Sequence, residues 1–475
     1  MDNLFDQLHI LNAVLEYDRS NTARYHMPGH KGGSGIPLHL WNSLLKIDVT
    51  EIPDMDNLYH PRGFLADAMN ECTKIFGTIN TFFLVNGSTA GIHAALEVAA
   101  GDQKEVIMSR DCHKAVYNKV IMAGYTPYYI PVGFDQNTLT PSLPSVGDVM
   151  KVMDRTGCKT VIITSPNYHG MVCDVQGIAC EVHKRDGILI VDEAHGAHFT
   201  FSDALPETAI RCGADMVIQS AHKTLPVINQ GAYLHICSRR IALEQINVAL
   251  SMIQTSSPSY IIMALLEYAA VHLHECGDIL YNKLCEDIKK LQDGCNSECD
   301  IHIKTDLCKN AVEKDVTRIL LDARRAGYTG FELEKRLRSQ YNLAVEAADL
   351  YSCILIATVS DPSWYLETLS KALKDNANPV GNKRLVGCKE LPVPEMVLLP
   401  AEAVRQDKKT IEAEKAIGCI AYKAVIPYPP GIPLIVPGEK ITTEAISYIH
   451  SIVDEGGFIE GLEGVNGNLY MDVVK

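Results

Sequence analysis

The sequence predicts an α/β protein built on a mostly parallel sheet of about seven strands with helices on both faces, and three observations carry that expectation. Apolar β segments alternate with helical segments from about residue 80. Two more β segments, "ADMVIQS" and "GAYLHICS", follow the alternation. At 475 residues the chain is longer than one core organises, so smaller units are expected beside the sheet.

The N-terminal stretch "MDNLFDQLHILNAVLEYDRS" reads as an amphipathic helix, and "ARYHMPGHKGGSGIP" as loop, because Pro28 and its glycines break either periodicity. The alternation then runs "TFFLV" (strand), "STAGIHAALEVAA" (helix), "KEVIMS" (strand), "HKAVYNKVIMAG" (helix) and "TPYYIPV" (strand). It continues with "KTVIIT", the helix "VQGIACEVHKRDG" and the strand "ILIVDEAHG". Residues 259–294 read as helix, ended by a turn at "QDGCNSECD". "VTRILLDARR", "GFELEKRLRSQY" and "SCILIATVS" form a smaller α/β unit, and "NANPVGNKRLVGCKELPVPEM" is a linker. The prolines of "YPPGIP" exclude regular structure there. The expected division is an N-terminal helix and arm (1–60), a large domain (61–294), a small α/β domain (295–378) and a C-terminal domain (379–475).

A net charge of −15 argues against nucleic acid or an anionic membrane as partner, and is compatible with a cationic substrate. There is no apolar run of the ~20 residues that a membrane span needs. The N-terminus lacks the basic start of a signal peptide, so a cytoplasmic protein is expected. The 15 cysteines are irregularly spaced without a CxxC pair, which points to reduced thiols.

In an open parallel sheet, ligands bind beyond the carboxyl ends of the strands, and three candidate groups fall there. "VNGSTAG" offers Gly87, Ser88 and Thr89 at a helix N-terminus, which either binds phosphate or is an ordinary cap. It lacks the lysine of a nucleotide P-loop. "LIVDEAHGAH" ends a strand with Asp192, Glu193 and His195; an acid there binds metal, caps a helix or pairs with a protonated ring nitrogen. No metal-ligand spacing supports the first option, and no metal is expected. "QSAHKTLP" places Lys223 past another strand, beside Ser220 and His222. A phosphate cradle, an acid and a lysine meet the three requirements of pyridoxal 5′-phosphate: its phosphate, its pyridine nitrogen and its aldehyde.

The motifs "YHMPGHKGG", "FLVNGSTAG", "RDCHKAV", "VDEAHGAH", "QSAHKTLP", "TSSPSY" and "PYPPGIPLIVPGE", in this order, resemble the Orn/Lys/Arg decarboxylases of the aspartate aminotransferase-like fold (fold type I) over nearly the whole chain. Among them it is similar to the short arginine decarboxylases. The resemblance implies that Lys223 joins the cofactor's aldehyde and that Asp192 pairs with the pyridinium nitrogen. Ser88, Thr89, Ser220 and His222 would hold the phosphate. His113 would stack on one ring face, Ala194 would pack on the other, and His195 would lie near the phenolic oxygen. Thr255, Ser256 and Ser257 would reach the phosphate of a neighbouring subunit, making the functional unit a homodimer or larger. His113, His195 and His198 could equally be structural. His26 and His30 would approach the substrate entrance or sit in a packed loop, and Asp54 and Asp56 would attract a distal cationic group or sit in a solvated turn.

The implied activity is decarboxylation of a basic amino acid, arginine before lysine or ornithine, with His195, His222 or Lys223 returning a proton to Cα. The alternatives are transamination, elimination or cyclisation with the same cofactor, or a non-catalytic homologue. Three positions depart from the family pattern: Ala221 replaces a threonine, Cys419 an expected arginine, and Tyr422 a glutamate. If the last position reads the substrate's distal group, Tyr422 weakens the case for arginine.

Overall fold

In the computed structural model, which describes residues 8–376, 393–428, 431–465 and 467–475, the strands that place the site are as follows. In chain order they are β1 (Ala23–Tyr25), β2 (Asn80–Leu84), β3 (Glu105–Ser109), β4 (Thr126–Ile130), β5 (Thr160–Thr164), β6 (Ile188–Asp192), β7 (Met216–Gln219) and β8 (Ala232–Ile236). A smaller unit adds β9 (His302–Ile303), β10 (Arg318–Asp322), β11 (Leu343–Val345), β12 (Ala347–Ala348) and β13 (Ser352–Ile356).

Strands β2 to β8 form one seven-stranded sheet in the order β2-β8-β7-β6-β5-β3-β4. Only β8 runs antiparallel to its neighbours. Because side chains alternate across a strand, apolar runs feed two cores at once. Ile107, Val161, Ile163, Val191 and Val217 enter one core, whereas Met108, Ile162, Ile190, Met216 and Ile218 enter the other. The helices Phe64–Phe76, Val175–Lys184 and Tyr260–Glu298 cover the first face; Gly87–Ala100, Lys114–Ala123 and Leu243–Ile253 cover the second. The six co-directional strands bring Val85, Arg110, Thr164, Asp192 and Ser220 to the same edge of the sheet.

The smaller unit is a four-stranded antiparallel sheet, β9-β10-β13-β12, backed by the helices Gly330–Tyr341 and Trp364–Asp375. It shares the first core, which runs from Ala23 to Leu373. Residues 393–475 have a core of their own around Ile435, Ile449 and Val473. Arg110, just past β3, ties that C-terminal unit to the sheet. Its guanidinium donates to the carbonyls of Pro433 and Leu434 and to the buried carboxylate of Glu439 at 3.1 Å.

Three local expectations are corrected. "ARY", read as loop, is strand β1, because it pairs in parallel with β11 more than 300 residues later, a partner no local pattern reveals. The helix from Tyr260 runs to Glu298, past the expected turn, since Leu291 and Cys295 continue its buried face. That packing outweighs the ~1 kcal/mol cost of Gly294 in a helix. "YPPGIP" begins inside a short strand, Ile426–Tyr428, paired with Phe458–Glu460; Pro429 and Pro430 lie outside the described residues. The expected linker and the boundary at 378/379 also fall largely outside them.

Candidate active site

The strand ends open onto one cavity of about 380 Å³. Its wall includes Gly87, Ser88, Thr89, His113, Asp192, Ala194, His195, Ser220, His222 and Lys223. Gly87 opens the helix Gly87–Ala100 at φ +75°, a left-handed conformation that side chains rarely adopt, and a Cβ there would meet open space. Ser88 Oγ and Ser220 Oγ lie 2.9 Å apart across the cavity floor, at the helix end whose free N–H groups favour an anion. His222 is fixed by its Nδ1 against the Gly231 carbonyl at 2.9 Å. A carbonyl only accepts, so Nδ1 carries the proton.

Asp192 is 2% exposed, and the Ala194 N–H, at 3.2 Å, is its hydrogen-bond donor. Burial raises its carboxyl pKa and Lys223 pulls it back, the environment of an acid that a cation would complete. Burial lowers the Lys223 ammonium to about 8, against the opposing pull of Asp192 and Glu346, so the nucleophilic amine predominates above that pH, well below where an ordinary lysine loses its proton. Its Nζ lies 3.0 Å from His195 Nε2. His113 both lines the cavity and caps the helix Lys114–Ala123, accepting from the Ala115 N–H at Nδ1. Burial lowers it to about 4, so it is neutral near pH 7.

The remaining candidates stand elsewhere. His26 is held by the Tyr17 hydroxyl at 2.6 Å and is not in the wall, although its neighbour Met27 is. His30 caps the turn Lys31–Gly33. Asp56 accepts from the N–H groups of Asn57, Arg62, Gly63 and Leu65; against the opposing effect of burial, these hold its carboxyl below its usual value. It thus organises the turn into the helix Phe64–Phe76, and Asp54 beside it is exposed. Ser256 and Ser257 are exposed and outside the wall, while Thr255 N–H reaches Asn86 Oδ1 at 3.3 Å. Tyr422 belongs to the C-terminal unit, with Lys408 Nζ 5.6 Å over its ring, and Cys419 lies in the same unit; neither lines the cavity. Ala221 is buried in the first core.

Several wall residues were not singled out from the sequence: Asp111 and Ile432, although they lie inside the quoted "RDCHKAV" and "PYPPGIPLIVPGE", and Thr164, Asn167, Tyr168 and Glu346, which no motif marks. Glu346, between β11 and β12, accepts from the Tyr168 hydroxyl at 2.7 Å and from the Met27 N–H at 3.0 Å. Asp111 and Thr164 could have been found by asking which residues lie at the ends of β3 and β5. Glu346 could not, because the register of the smaller unit carries it in.

The family profile described as "Orn/Lys/Arg decarboxylase, major domain" matches residues 9–320, and that of the C-terminal domain of the same decarboxylases matches residues 387–475. The chain belongs to the Orn/Lys/Arg decarboxylase family. Within that family, an arginine decarboxylase of Bacillus anthracis is 30% identical over 469 residues, spanning 96% of this chain and 94% of the relative. The structure of the constitutive lysine decarboxylase of E. coli superposes with a TM-score of 0.77 at 17% identity, covering 98% of this chain and 81% of that one. The serine palmitoyltransferase of Sphingomonas wittichii superposes at 0.56, with 14% identity over 75% of this chain and 86% of its own. The decarboxylase chain therefore has the fold type I architecture.

Proposed function

We propose that this family member is a pyridoxal 5′-phosphate-dependent decarboxylase of a basic amino acid, arginine before lysine or ornithine. The observation that carries the reading is the meeting of Lys223, Asp192 and the Gly87–Thr89 helix end in one cavity. These residues fit the cofactor: an open cradle at Gly87, a buried acid short of donors, and an amine lowered to about 8. When bound, the cofactor supplies an aldehyde that condenses with amines and a ring that accepts the electrons of the bond being broken.

The chain's own residues do the rest. Ser88, Thr89, Ser220 and His222 hold the phosphate, and Asp192 keeps the proton on the ring nitrogen. The rings of His113 and Tyr168 and the methyl of Ala194 line the wall and exclude water from the reacting centre. Lys223 would be the amine that holds the cofactor's aldehyde. Glu346, as the carboxylate of the small unit in the wall, favours a cationic substrate. Ser256 and Ser257 would complete the phosphate site of a partner subunit; they border the exposed Val248 and Met252 of the helix Leu243–Ile253.

Transamination is less favoured. Such chemistry would take an arginine from the small unit to bind the α-carboxylate, and the described residues that line the cavity include no arginine. Among the described residues no helix is long and apolar enough to cross a membrane, and no cluster of potential metal ligands is present. The deciding experiment incubates the cofactor-loaded protein separately with arginine, lysine and ornithine and follows CO₂ and the amine product. Release of CO₂ from none of them would overturn the reading.

A further inference from the structure

Arg318 opens β10 of the smaller sheet, and its Nη2 lies 2.7 Å from His195 Nδ1. At the opposite edge of that ring, Nε2 lies 3.0 Å from Lys223 Nζ. A guanidinium has five N–H donors and no acceptor, so Nδ1 must present its lone pair and the ring proton must sit on Nε2. Were Lys223 an ammonium donating to Nε2, the imidazole would be accepting at both nitrogens and would carry no proton. One state satisfies all three groups: a cationic Arg318, a neutral His195 with an N–H at Nε2, and Lys223 as a free amine accepting from it.

We propose that Arg318 is a positioning residue that locks His195 in its Nε2–H tautomer, making His195 a fixed hydrogen-bond donor toward the nitrogen of Lys223 and not a proton carrier. The inference rests on Lys223 being the reacting lysine. It removes His195 from the groups able to return a proton to Cα, because protonating Nδ1 would set an N–H against the guanidinium.

The packing makes the constraint strong. Arg318 is fully buried, and its Nε and Nη1 have no hydrogen-bond partner among the described residues, so His195 Nδ1 is the acceptor that meets this cation. The opposite tautomer would leave a buried charge without one. The arginine stem cannot drift, since Gly170 faces it so closely that a Cβ there would come within 2.6 Å of the Arg318 Cβ. The His195 ring is held edge-on by Tyr168, with centroids 5.1 Å apart, and Tyr168 is itself tied to Glu346. The charged and titratable groups facing His195 are Lys223, Arg318, His113, His222 and Tyr168; those facing Lys223 also include Asp192 and Glu346, and Arg318 in turn feels the buried Asp315 carboxylate. Burial, with Lys223 and Arg318 next in weight, holds the His195 imidazole well below its usual pKa.

Nitrogen NMR on full-length, cofactor-loaded protein carrying ¹⁵N-histidine tests this without reference to turnover. His195 is assigned by its loss in His195→Gln. The expected spectrum places Nε2 among protonated nitrogens and Nδ1 among unprotonated, hydrogen-bonded ones, with no change of state from pH 6 to 9. Arg318→Met should give a mixed tautomer population, and Arg318→Lys should restore the wild-type pattern at least in part. In the cofactor-free full chain, competitive acylation of Lys223 against pH should show its midpoint raised by about one unit in Arg318→Met, because a nearby cation is gone and the ammonium gains an acceptor. A protonated Nδ1 in wild-type protein overturns the proposal even if Arg318→Met fails to fold. An unchanged tautomer in a folded Arg318→Met overturns it as well. Loss of decarboxylation with the tautomer as stated would count against the proposed function and leave this inference standing.

Discussion

Asp192 and Lys223 are both ionisable groups taken out of water, and burial moves the pKa of each toward its neutral form while their mutual attraction opposes the shift. For Lys223 the sign follows directly: with its ammonium lowered to about 8, the amine predominates above that pH. The rate at which cofactor-free protein captures pyridoxal phosphate should therefore rise through pH 8 and level off, where an ordinary lysine would keep gaining past pH 10. Stopped-flow absorbance across pH 6–10 checks this, and a rate still climbing at pH 10 would contradict the burial argument. Asp192→Asn should lose about 10²–10⁴-fold in kcat, the range seen when an electrostatic catalytic group is removed. The phosphate contacts are untouched, so the variant should still retain cofactor by absorbance after dialysis. Near-normal turnover would reduce Asp192 to a structural acid.

Between elements, the buried pair of Arg110 and Glu439 ties the C-terminal unit to the sheet beside the cavity. It pins residues 433–439 of the C-terminal unit against the end of β3, and Ile432, next to that segment, is part of the cavity wall. Glu439 is fully buried; burial pushes its carboxyl up and Arg110 draws it back. Glu439→Ala would leave the guanidinium buried beside two carbonyls and a tyrosine hydroxyl, with no charge partner. Removing one member of such a pair costs about 3–5 kcal/mol. The expected outcome is a lowered Tm by calorimetry, with a KM raised more than kcat is reduced, because the wall at Ile432 loosens. A Tm within a degree of wild type would show that the carbonyls alone hold the arginine.

On the scale of the whole molecule, the N-terminal helix His9–Arg19 has no buried residue, and Ile10, Val14, Leu38 and Leu45 remain exposed on the same arm. Exposed apolar surface of this kind, like that of Val248 and Met252, is what a second copy of the chain would cover. Mixing Lys223→Ala with a Ser256→Ala/Ser257→Ala double variant, under conditions where subunits exchange, should restore activity above that of either parent. Mixed dimers, demonstrated with distinguishable tags, that stay as inactive as the parents would rule out a shared site. A fully active monomer by sedimentation would rule it out too.

What the sequence determined by itself was local: apolar runs, helix starts, and the acid, lysine and glycine-rich turn at strand ends. Hydrophobic period and backbone freedom act over a few residues, so the seven strands, Asp192, Lys223 and the Gly87 turn could be read without knowing where the chain goes next. Tertiary structure decided what depends on partners hundreds of residues apart. β1 becomes a strand through β11, Glu346 enters the wall through the register of the small unit, and Arg318 meets His195 across 123 positions. Tyr422 shows the same limit from the other side. A short motif suggested a pocket residue, and the folded chain sets it beside Lys408, away from the cavity. A side chain's chemistry is written in its residue type, but its protonation state and its neighbours exist only once long-range packing has removed the water around it.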